Sequence, residues 1–274
     1  LSGDGGDELF GGYETYMADL LRHKTQHIPL LQGIGHRMVS LIPTSLNKVS
    51  FDYKVKQFTD GYGLDAQNAH YYWRNIFSNH EKMVLIRPEY KADILNYEPY
   101  TYFEGFFDNV KDCDILDQAM YVDIKTWLVD DILHKVDRTT MAHALEARAP
   151  FLDYRLVEFA ASLPSSLKIK GLRKKYILKV SQRSYLPEQV IKASKKGFNA
   201  PVSWWLLNEI HDYAKKITLS PIMLQWFNRD KIISLWEEHE YKRRDNGYRL
   251  FGLLCFGLWL ELNYENKTDY FIKQ

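Results

Sequence analysis

The sequence lacks the features that would direct it out of a reducing cytoplasm. Only two of its 274 residues are cysteines, Cys113 and Cys255, and they do not have the spacing of a metal site. This usage argues against a disulfide-built secreted domain. No signal-peptide pattern is visible, and the most apolar run, Leu250 to Leu262, is too short to span a bilayer. We therefore expect a cytoplasmic protein with no membrane partner.

An excess of charge of one sign is also missing. The formal net charge is +1, which gives no general attraction to nucleic acid, so a nucleic-acid-binding module is a weak alternative. A composition of 46% hydrophobic and 15% aromatic residues excludes a disordered tail. There is no internal repeat, low-complexity tract or Ser/Gly linker. The chain is therefore expected to bury a large core.

Strand-like patterns are scarce, and long stretches have helical periodicity instead. The best strand candidate is Met83 to Ile86, and residues 30–65, which contain Pro29 and Pro43, are predicted as helix and loop. The pattern predicts helical segments over 124–136, 152–163 and 174–185, from Pro201 in a first turn to Ile210, and around 250–260. The predicted chain is mainly α-helical. We also expect Trp204 and Trp205 to belong to the core rather than to stack on bases.

A Gly/Asp-rich turn opens the chain. Ser2-Gly3-Asp4-Gly5-Gly6-Asp7-Glu8 places three glycines and three carboxylates in seven positions. Glycines let a ligand approach the backbone, and their N–H groups can cradle phosphate. The carboxylates would repel phosphate unless a cation such as Mg²⁺ lies between them. A tight surface turn is the simpler alternative, and a calcium loop is another, although the EF-hand spacing is absent.

Three ordered blocks resemble the asparagine synthetase (glutamine-hydrolysing) family. The first is Leu1-Ser2-Gly3-Asp4-Gly5-Gly6-Asp7-Glu8-Leu9-Phe10-Gly11-Gly12-Tyr13, which is similar to the family's second nucleotide-site motif. The second runs from Lys135-Val136-Asp137-Arg138 to Ala149-Pro150-Phe151-Leu152-Asp153, and the third from Leu186-Pro187 through Lys195-Lys196-Gly197-Phe198 to Pro201. Three matches in the same order over about 200 residues make the probability of a chance resemblance very small.

The resemblance implies an ATP-dependent amide ligase of asparagine biosynthesis. In that family an α/β ATP pyrophosphatase-type domain joins aspartate to AMP with release of pyrophosphate, and ammonia from a glutaminase domain then forms asparagine. The family's pyrophosphate loop and its catalytic cysteine have no counterpart here. We therefore expect residues 1–274 to be the C-terminal portion of the synthetase domain, with the parallel strands and the glutaminase upstream. The fragment alone is expected to be inactive and to expose apolar surface.

The resemblance also assigns roles to residues of the first block. Ser2 and Gly3 would contact ATP, and Asp7 would ligate Mg²⁺, the hard cation that neutralises pyrophosphate. Asp4 matches a position implicated in adenylate formation. Some family members have Glu there, so the reach of the shorter aspartate is in question.

In the third block, Lys195 matches the lysine that stabilises negative charge during adenylation. An ammonium suits this role because it is a compact charge. Alternatively, its neighbour Lys196 is the lysine that reaches the site. A solvated basic loop containing Lys192 and both of these residues is the structural alternative.

The charged residues of the middle block have two open interpretations. Asp137, Arg138, Glu146, Arg148 and Asp153 could contact substrate, or they could form buried ion pairs that hold the turn at Pro150. A structural role is favoured for Arg148 and Asp153.

Two other functions compete with the synthetase. One is a related ligase on another carboxylate, such as a β-lactam synthetase-like enzyme or an amidotransferase acting on a sugar acid. The other is a non-catalytic helical binding module. A homodimer is the candidate oligomeric state.

Overall fold

The computed structural model of the chain describes residues 1–28, 51–193 and 200–264. These residues divide into two compact units. The first unit contains 1–28, 61–73 and 99–193, and the second contains 51–60, 74–98 and 200–264.

The first unit is built from short and medium helices. Its helices are α1 Gly6–Phe10, α2 Glu14–Thr25, most of α4 Ala66–Arg74, α7 Tyr100–Asp108, α8 Ile115–Lys125, a π-helix Trp127–Leu133, α9 His134–Met141, a 3₁₀ turn Pro150–Leu152, α10 Tyr154–Ser162, α11 Ser165–Lys168, α12 Tyr176–Ser181 and α13 Glu188–Lys192. One buried cluster joins α2 to α8 and to Ile169, and another joins α1 to α10.

The second unit packs around its last helix. Its helices are most of α3 Phe51–Tyr62, α5 Asn79–Leu85, a 3₁₀ turn Pro88–Tyr90, α6 Lys91–Leu95, α14 Val202–Trp205, α15 His211–Thr218, α16 Met223–Trp226, α17 Arg229–Glu240 and α18 Gly247–Asn263. The fully buried Trp236 donates to Thr218 Oγ1 at 3.0 Å within this core. Leu250, Leu253, Leu254 and Leu260 of α18 belong to the same buried cluster.

The prediction of a mainly α-helical chain is confirmed for the described residues, which contain isolated bridges but no strand. The predicted strand at Met83 to Ile86 is wrong, because Met83 to Leu85 complete α5 and Ile86, just after it, forms only an isolated antiparallel bridge with Phe227. Ser78 and Glu81 form a reciprocal capping box at the start of that helix. The part of the 30–65 prediction that includes Pro29 and Pro43 lies outside the described residues, whereas 51–62 is helical.

The predicted helix over 124–136 is not one continuous α-helix. α8 ends at Lys125, and the chain continues as a seven-residue π-helix before α9 begins. The change occurs at Thr126, whose hydroxyl donates back to Val122 O at 2.8 Å. Such a bond offers the backbone an alternative to regular helical pairing and often bends a helix. The helical spacing of the apolar residues over 124–136 did not reveal this change from α-helix to π-helix.

The predicted helix after Pro201 is shorter than expected, and its tryptophan pair is not in the core. Pro201 caps α14 rather than standing in its first turn. The buried residues of this segment are Val202 and Leu206, whereas Trp204 and Trp205 are 52% and 36% exposed. The turn of the helix places Val202 and Leu206, four residues apart, on the core side. In the described part of the chain, no helix is long and apolar enough to cross a membrane.

Candidate active site

The opening turn packs against the middle block of the first unit. The Ser2 backbone N–H donates to Arg148 O at 2.7 Å. Gly5 has φ +84°, and a Cβ there would lie 2.3 Å from Leu152 Cδ2. Glycine is required at this position both by the positive φ and by the close approach. Two of the three predicted blocks are therefore adjacent in space.

The glycines of the turn differ in what they face. A Cβ on Gly6 would contact the Phe151 ring at 3.3 Å, and one on Gly11 would lie 2.7 Å from Ile169 Cγ1. By contrast, a Cβ on Gly3 would meet nothing within 4 Å. The close approaches at Gly5, Gly6 and Gly11 are to protein side chains. Of the predicted ligand contacts, Gly3 is the glycine with open space beside it.

Ser2 has an atom that is available for a ligand. Its Oγ is buried and has no hydrogen-bond partner among the described residues. A buried hydroxyl without a partner carries a desolvation cost, which a ligand oxygen or nitrogen would remove. The helix that follows, α1, has only five residues. Any phosphate here would thus depend on individual groups more than on a helix dipole.

Asp7 is paired with a lysine that the sequence analysis did not select. Lys175 Nζ lies 2.9 Å from Asp7 Oδ1, and both side chains are about one quarter exposed. The Lys175 backbone has φ 53° and ψ 39°, and its N–H donates to Phe10 O at 3.2 Å. The predicted 174–185 helix covers only Tyr176–Ser181, and the left-handed backbone of Lys175 explains why it does not begin at Lys174. The run Arg173-Lys174-Lys175 after Gly171 was the available signal.

Glu8 points away from the open side of the turn. It is buried, and burial raises the pKa of its carboxyl, although a hydrogen bond from Tyr13 at 2.5 Å opposes that rise. Asp4 is partly exposed. The structure thus separates the three carboxylates of the turn into one buried acid, one lysine-paired carboxylate and one partly exposed carboxylate.

The same unit contains a charged histidine that is buried between two carboxylates. His70 is fully enclosed, with Nδ1 2.8 Å from Asp19 Oδ2 and Nε2 3.2 Å from Asp123 Oδ1. Burial alone would lower the pKa of His70, but the two carboxylates raise it to about 9. Asp123 also contributes to raising the pKa of Glu8. This cluster is remote from solvent and therefore has a structural character.

The middle block forms ion pairs, but they are not buried as expected. Arg148 Nε lies 3.0 Å from Glu146 Oε1, with both side chains more than 70% exposed. Asp153 caps α10 through the Arg155 N–H, and the Arg155 guanidinium lowers the pKa of its carboxyl to about 2. The structural interpretation of Asp153 thus agrees with its capping position. Asp137 and Arg138 lie exposed on α9.

The third block is described only in part. Its α13 contains an exposed pair in which Lys192 Nζ lies 2.7 Å from Glu188 Oε1. Lys195 and Lys196, the two predicted phosphate-facing lysines, lie outside the described residues. Within the ranges that the structure describes, no group of three or more His, Cys, Asp or Glu side chains could hold a metal ion by themselves. A metal at Asp7 would therefore need ligand oxygens from a substrate or from elsewhere.

Comparisons with known proteins place most of the chain in one family. The family model described as asparagine synthase matches residues 1–261. "Asparagine synthetase [glutamine-hydrolyzing] 1" of Bacillus subtilis (strain 168) is 30% identical over 269 residues, which cover 97% of this chain and 41% of that protein. A putative asparagine synthetase [glutamine-hydrolyzing] of Mycobacterium bovis is 28% identical over 94% of this chain and 38% of its own length.

A protein with a different name is also similar. Amidase chry2 of Gibberella zeae is 28% identical over 239 residues, which cover 80% of this chain and 34% of the amidase. No solved structure matches. The chain spans about two fifths or less of the length of each of these relatives.

Proposed function

This chain belongs to the asparagine synthase family, and from that membership we propose that it forms part of the synthetase site of an ATP-dependent amide ligase. The proposed reaction joins aspartate to AMP with release of pyrophosphate. Ammonia derived from glutamine then attacks β-aspartyl-AMP to give asparagine and AMP. We propose this activity for the chain together with the remaining parts of a synthetase, since the chain spans 41% of its Bacillus subtilis relative.

The observation that carries the proposal is the open side of the first block. Ser2 supplies a buried hydroxyl that lacks a partner among the described residues, and Gly3 supplies backbone beside open space. A nucleotide oxygen bound there would satisfy the hydroxyl without meeting a side chain. We propose that Ser2 and Gly3 contact ATP and that the partly exposed Asp4 acts in forming the adenylate.

The donor set at Asp7 fits Mg²⁺ of the kind that accompanies a nucleotide. Mg²⁺ in such sites usually takes one or two protein carboxylates and completes its shell with phosphate and water. Asp7 would hold the ion, which would neutralise developing phosphate charge. Lys195 is proposed to stabilise the same charge from the third block.

We also propose that the chain is the helical C-terminal portion of an α/β ATP pyrophosphatase-type domain whose parallel strands lie upstream. Exposed large apolar side chains on the first unit support this proposal, because the upstream part would cover them. Those more than 50% exposed include Met141 56%, Leu145 60%, Tyr154 69%, Phe159 58%, Leu172 87%, Tyr185 80% and Val190 53%. Activity would then require the upstream part, in the same polypeptide or supplied separately. The cytoplasmic location and the homodimer stay predictions.

The test measures AMP, pyrophosphate and asparagine with ATP, Mg²⁺, aspartate and ammonia, for the chain alone and for a form that includes the upstream part. We expect equal amounts of asparagine and AMP only from the longer form. Asp7→Asn should lower its AMP production at least about a hundredfold, because metal stabilisation of phosphate charge contributes several kcal/mol. Glu240→Gln, in a lysine pair of similar exposure in the second unit, is the matched control. Full activity of the Asp7→Asn variant would refute the proposed role of Asp7 as a metal ligand.

A second candidate is a related amide-forming enzyme on another carboxylate, and it is kept because one similar protein, amidase chry2, has a name other than asparagine synthetase. The same assay separates the two, since that enzyme should ignore aspartate and release AMP with a different acid. If no acid supports AMP formation and ATP does not raise the melting temperature, a non-catalytic binding module is the better description.

A further inference from the structure

Lys175 is held in place more firmly than a surface lysine. Its backbone adopts a left-handed conformation that residues with a Cβ rarely accept, and its N–H is bonded to Phe10 O of α1. The side chain then reaches across the glycine turn to Asp7 at 2.9 Å. The backbone of one segment and the side chain of the same residue are thus both attached to the opening motif.

The space for this pair is made by glycine. A Cβ on Gly12 would lie 1.8 Å from Asp7 Oδ1 and 2.5 Å from Lys175 Cε. A Cβ on Gly6 would lie 3.7 Å from Lys175 Nζ. Any larger residue at position 12 would have to displace the lysine or the carboxylate. The glycines of the motif therefore accommodate the Lys175 side chain as well as the turn.

The two charged side chains next to this pair in sequence, Lys174 and Glu8, have partners of their own. Lys174 is directed to Glu14, with which it forms a close ion pair. The other nearby carboxylate, Glu8, is buried and accepts from Tyr13. The lysine thus sits at the one carboxylate to which a metal role was assigned by the family match.

We propose, on the basis of the proposed function, that the Lys175 ammonium neutralises the Asp7 carboxylate when no metal is bound. When a divalent metal ion binds Asp7, the Lys175 side chain moves to an oxygen of the nucleotide phosphate. An ammonium at 2.9 Å and a metal ion on the same carboxylate would repel each other strongly. Phosphate oxygens are the natural alternative acceptors for the ammonium. Metal binding without nucleotide is therefore opposed by Lys175, and the two ligands bind cooperatively.

The experiment uses the form of the protein in which AMP production is measured, with Mn²⁺ as a spectroscopic probe for the metal. Free and bound Mn²⁺ are separated by electron paramagnetic resonance, with and without ATP, and ATP affinity is measured separately in EDTA. For the wild type, ATP should tighten Mn²⁺ binding at least about tenfold, as expected for a coupling of ordinary size. Asp7→Asn should abolish the tight Mn²⁺ site.

Lys175→Met removes the charge and keeps most of the stem. It should bind Mn²⁺ without ATP at least about threefold more tightly than the wild type, and ATP should tighten its Mn²⁺ binding by less than the tenfold expected for the wild type, because no ammonium is left to move from Asp7 to phosphate. Its affinity for ATP in EDTA should be close to that of the wild type, because Lys175 stays on Asp7 when no metal is present. Lys175→Gly suits the positive φ and provides a second variant if the first folds poorly. Lys215→Met breaks a comparable pair, 2.6 Å from Glu240, in the second unit and should behave as wild type.

The outcomes separate this inference from the proposed function. Wild-type coupling with unchanged Mn²⁺ binding in both Lys175 variants would overturn the role of Lys175 and leave the site intact. Weaker Mn²⁺ binding without ATP in those variants would overturn it as well, since a competing cation cannot assist the metal. A wild type that binds neither ATP nor Mn²⁺ and makes no AMP would overturn the proposed function itself.

Discussion

The buried His70 should make the first unit lose stability in mildly alkaline solution. The imidazolium lies between Asp19 and Asp123, and its pKa rises from an ordinary value of 6.5 to about 9. A group whose pKa is raised by folding stabilises the fold fully below its unfolded pKa. That stability is lost as the pH rises through the folded pKa. The sensitive window is therefore between pH 6.5 and about pH 9.

The size of the effect follows from the same values. Because each unit of pKa difference corresponds to about 1.36 kcal/mol, a rise from 6.5 to about 9 corresponds to roughly 3 kcal/mol. This is a large share of the 5–15 kcal/mol that is typical of a folded domain. Replacing the histidine should cost more at neutral pH, about 3–5 kcal/mol, because it removes the imidazolium that lies between two buried carboxylates.

Hydrogen exchange read by mass spectrometry reports the first unit separately. We expect the protection of peptides from 14–25 and 115–125, which contain α2 and α8, to fall between pH 6.5 and 9 after correction for the intrinsic exchange rate. In His70→Gln the protection should be lower at pH 6.5 and should change little across this window. Taking the difference between the two proteins removes the effects of other groups that titrate near pH 9.

The second unit provides the control. His211 also lies between two carboxylates, 2.8 Å from Asp212 and 2.9 Å from Glu240, but its side chain is 27% exposed. Solvent screens that pair, so His211→Gln should alter stability by less than about 1 kcal/mol. Parallel pH profiles for wild type and His70→Gln would refute the reasoning about the buried imidazolium.

The remaining predictions concern local conformation. Gly5→Ala should destabilise the first unit by about 1–3 kcal/mol in thermal unfolding, because φ is +84° and the new Cβ would meet Leu152 Cδ2 at 2.3 Å. Gly3→Ala should leave unfolding unchanged and weaken ATP binding, since its Cβ would enter only open space; an equal loss of stability in both variants would contradict this distinction. Ser78→Ala should destabilise α5 by about 1 kcal/mol through loss of the capping box with Glu81, and an unchanged melting temperature would show that the cap contributes little.

Some features were readable because they are local. The Ser78-to-Glu81 spacing is a capping-box pattern, and attention to it would have corrected the strand prediction at Met83 to Ile86. Pro164 marks the end of α10 at Ser162 as predicted. The apolar stripe of α18 predicted the central helix of the second unit, because a long helix must bury one face.

Other features were not readable because they depend on partners far along the chain. The π-helix at Trp127–Leu133 keeps an apolar pattern close to that of an α-helix, so periodicity alone did not distinguish it. Trp204 and Trp205 are exposed because Val202 and Leu206 occupy the core side of the same turn. Composition favours buried tryptophan, but only packing decides which side of a short helix is covered.

The sequence by itself determined the helical class, the family and the residues of the opening motif, since these depend on local patterns and on ordered matches. Only the tertiary structure decided that Gly3 faces open space while Gly5 packs on Leu152. It also decided that the Lys175 ammonium lies beside the Asp7 carboxylate. Contacts between distant segments arise from packing and charge in three dimensions, and no spacing along the chain encodes them.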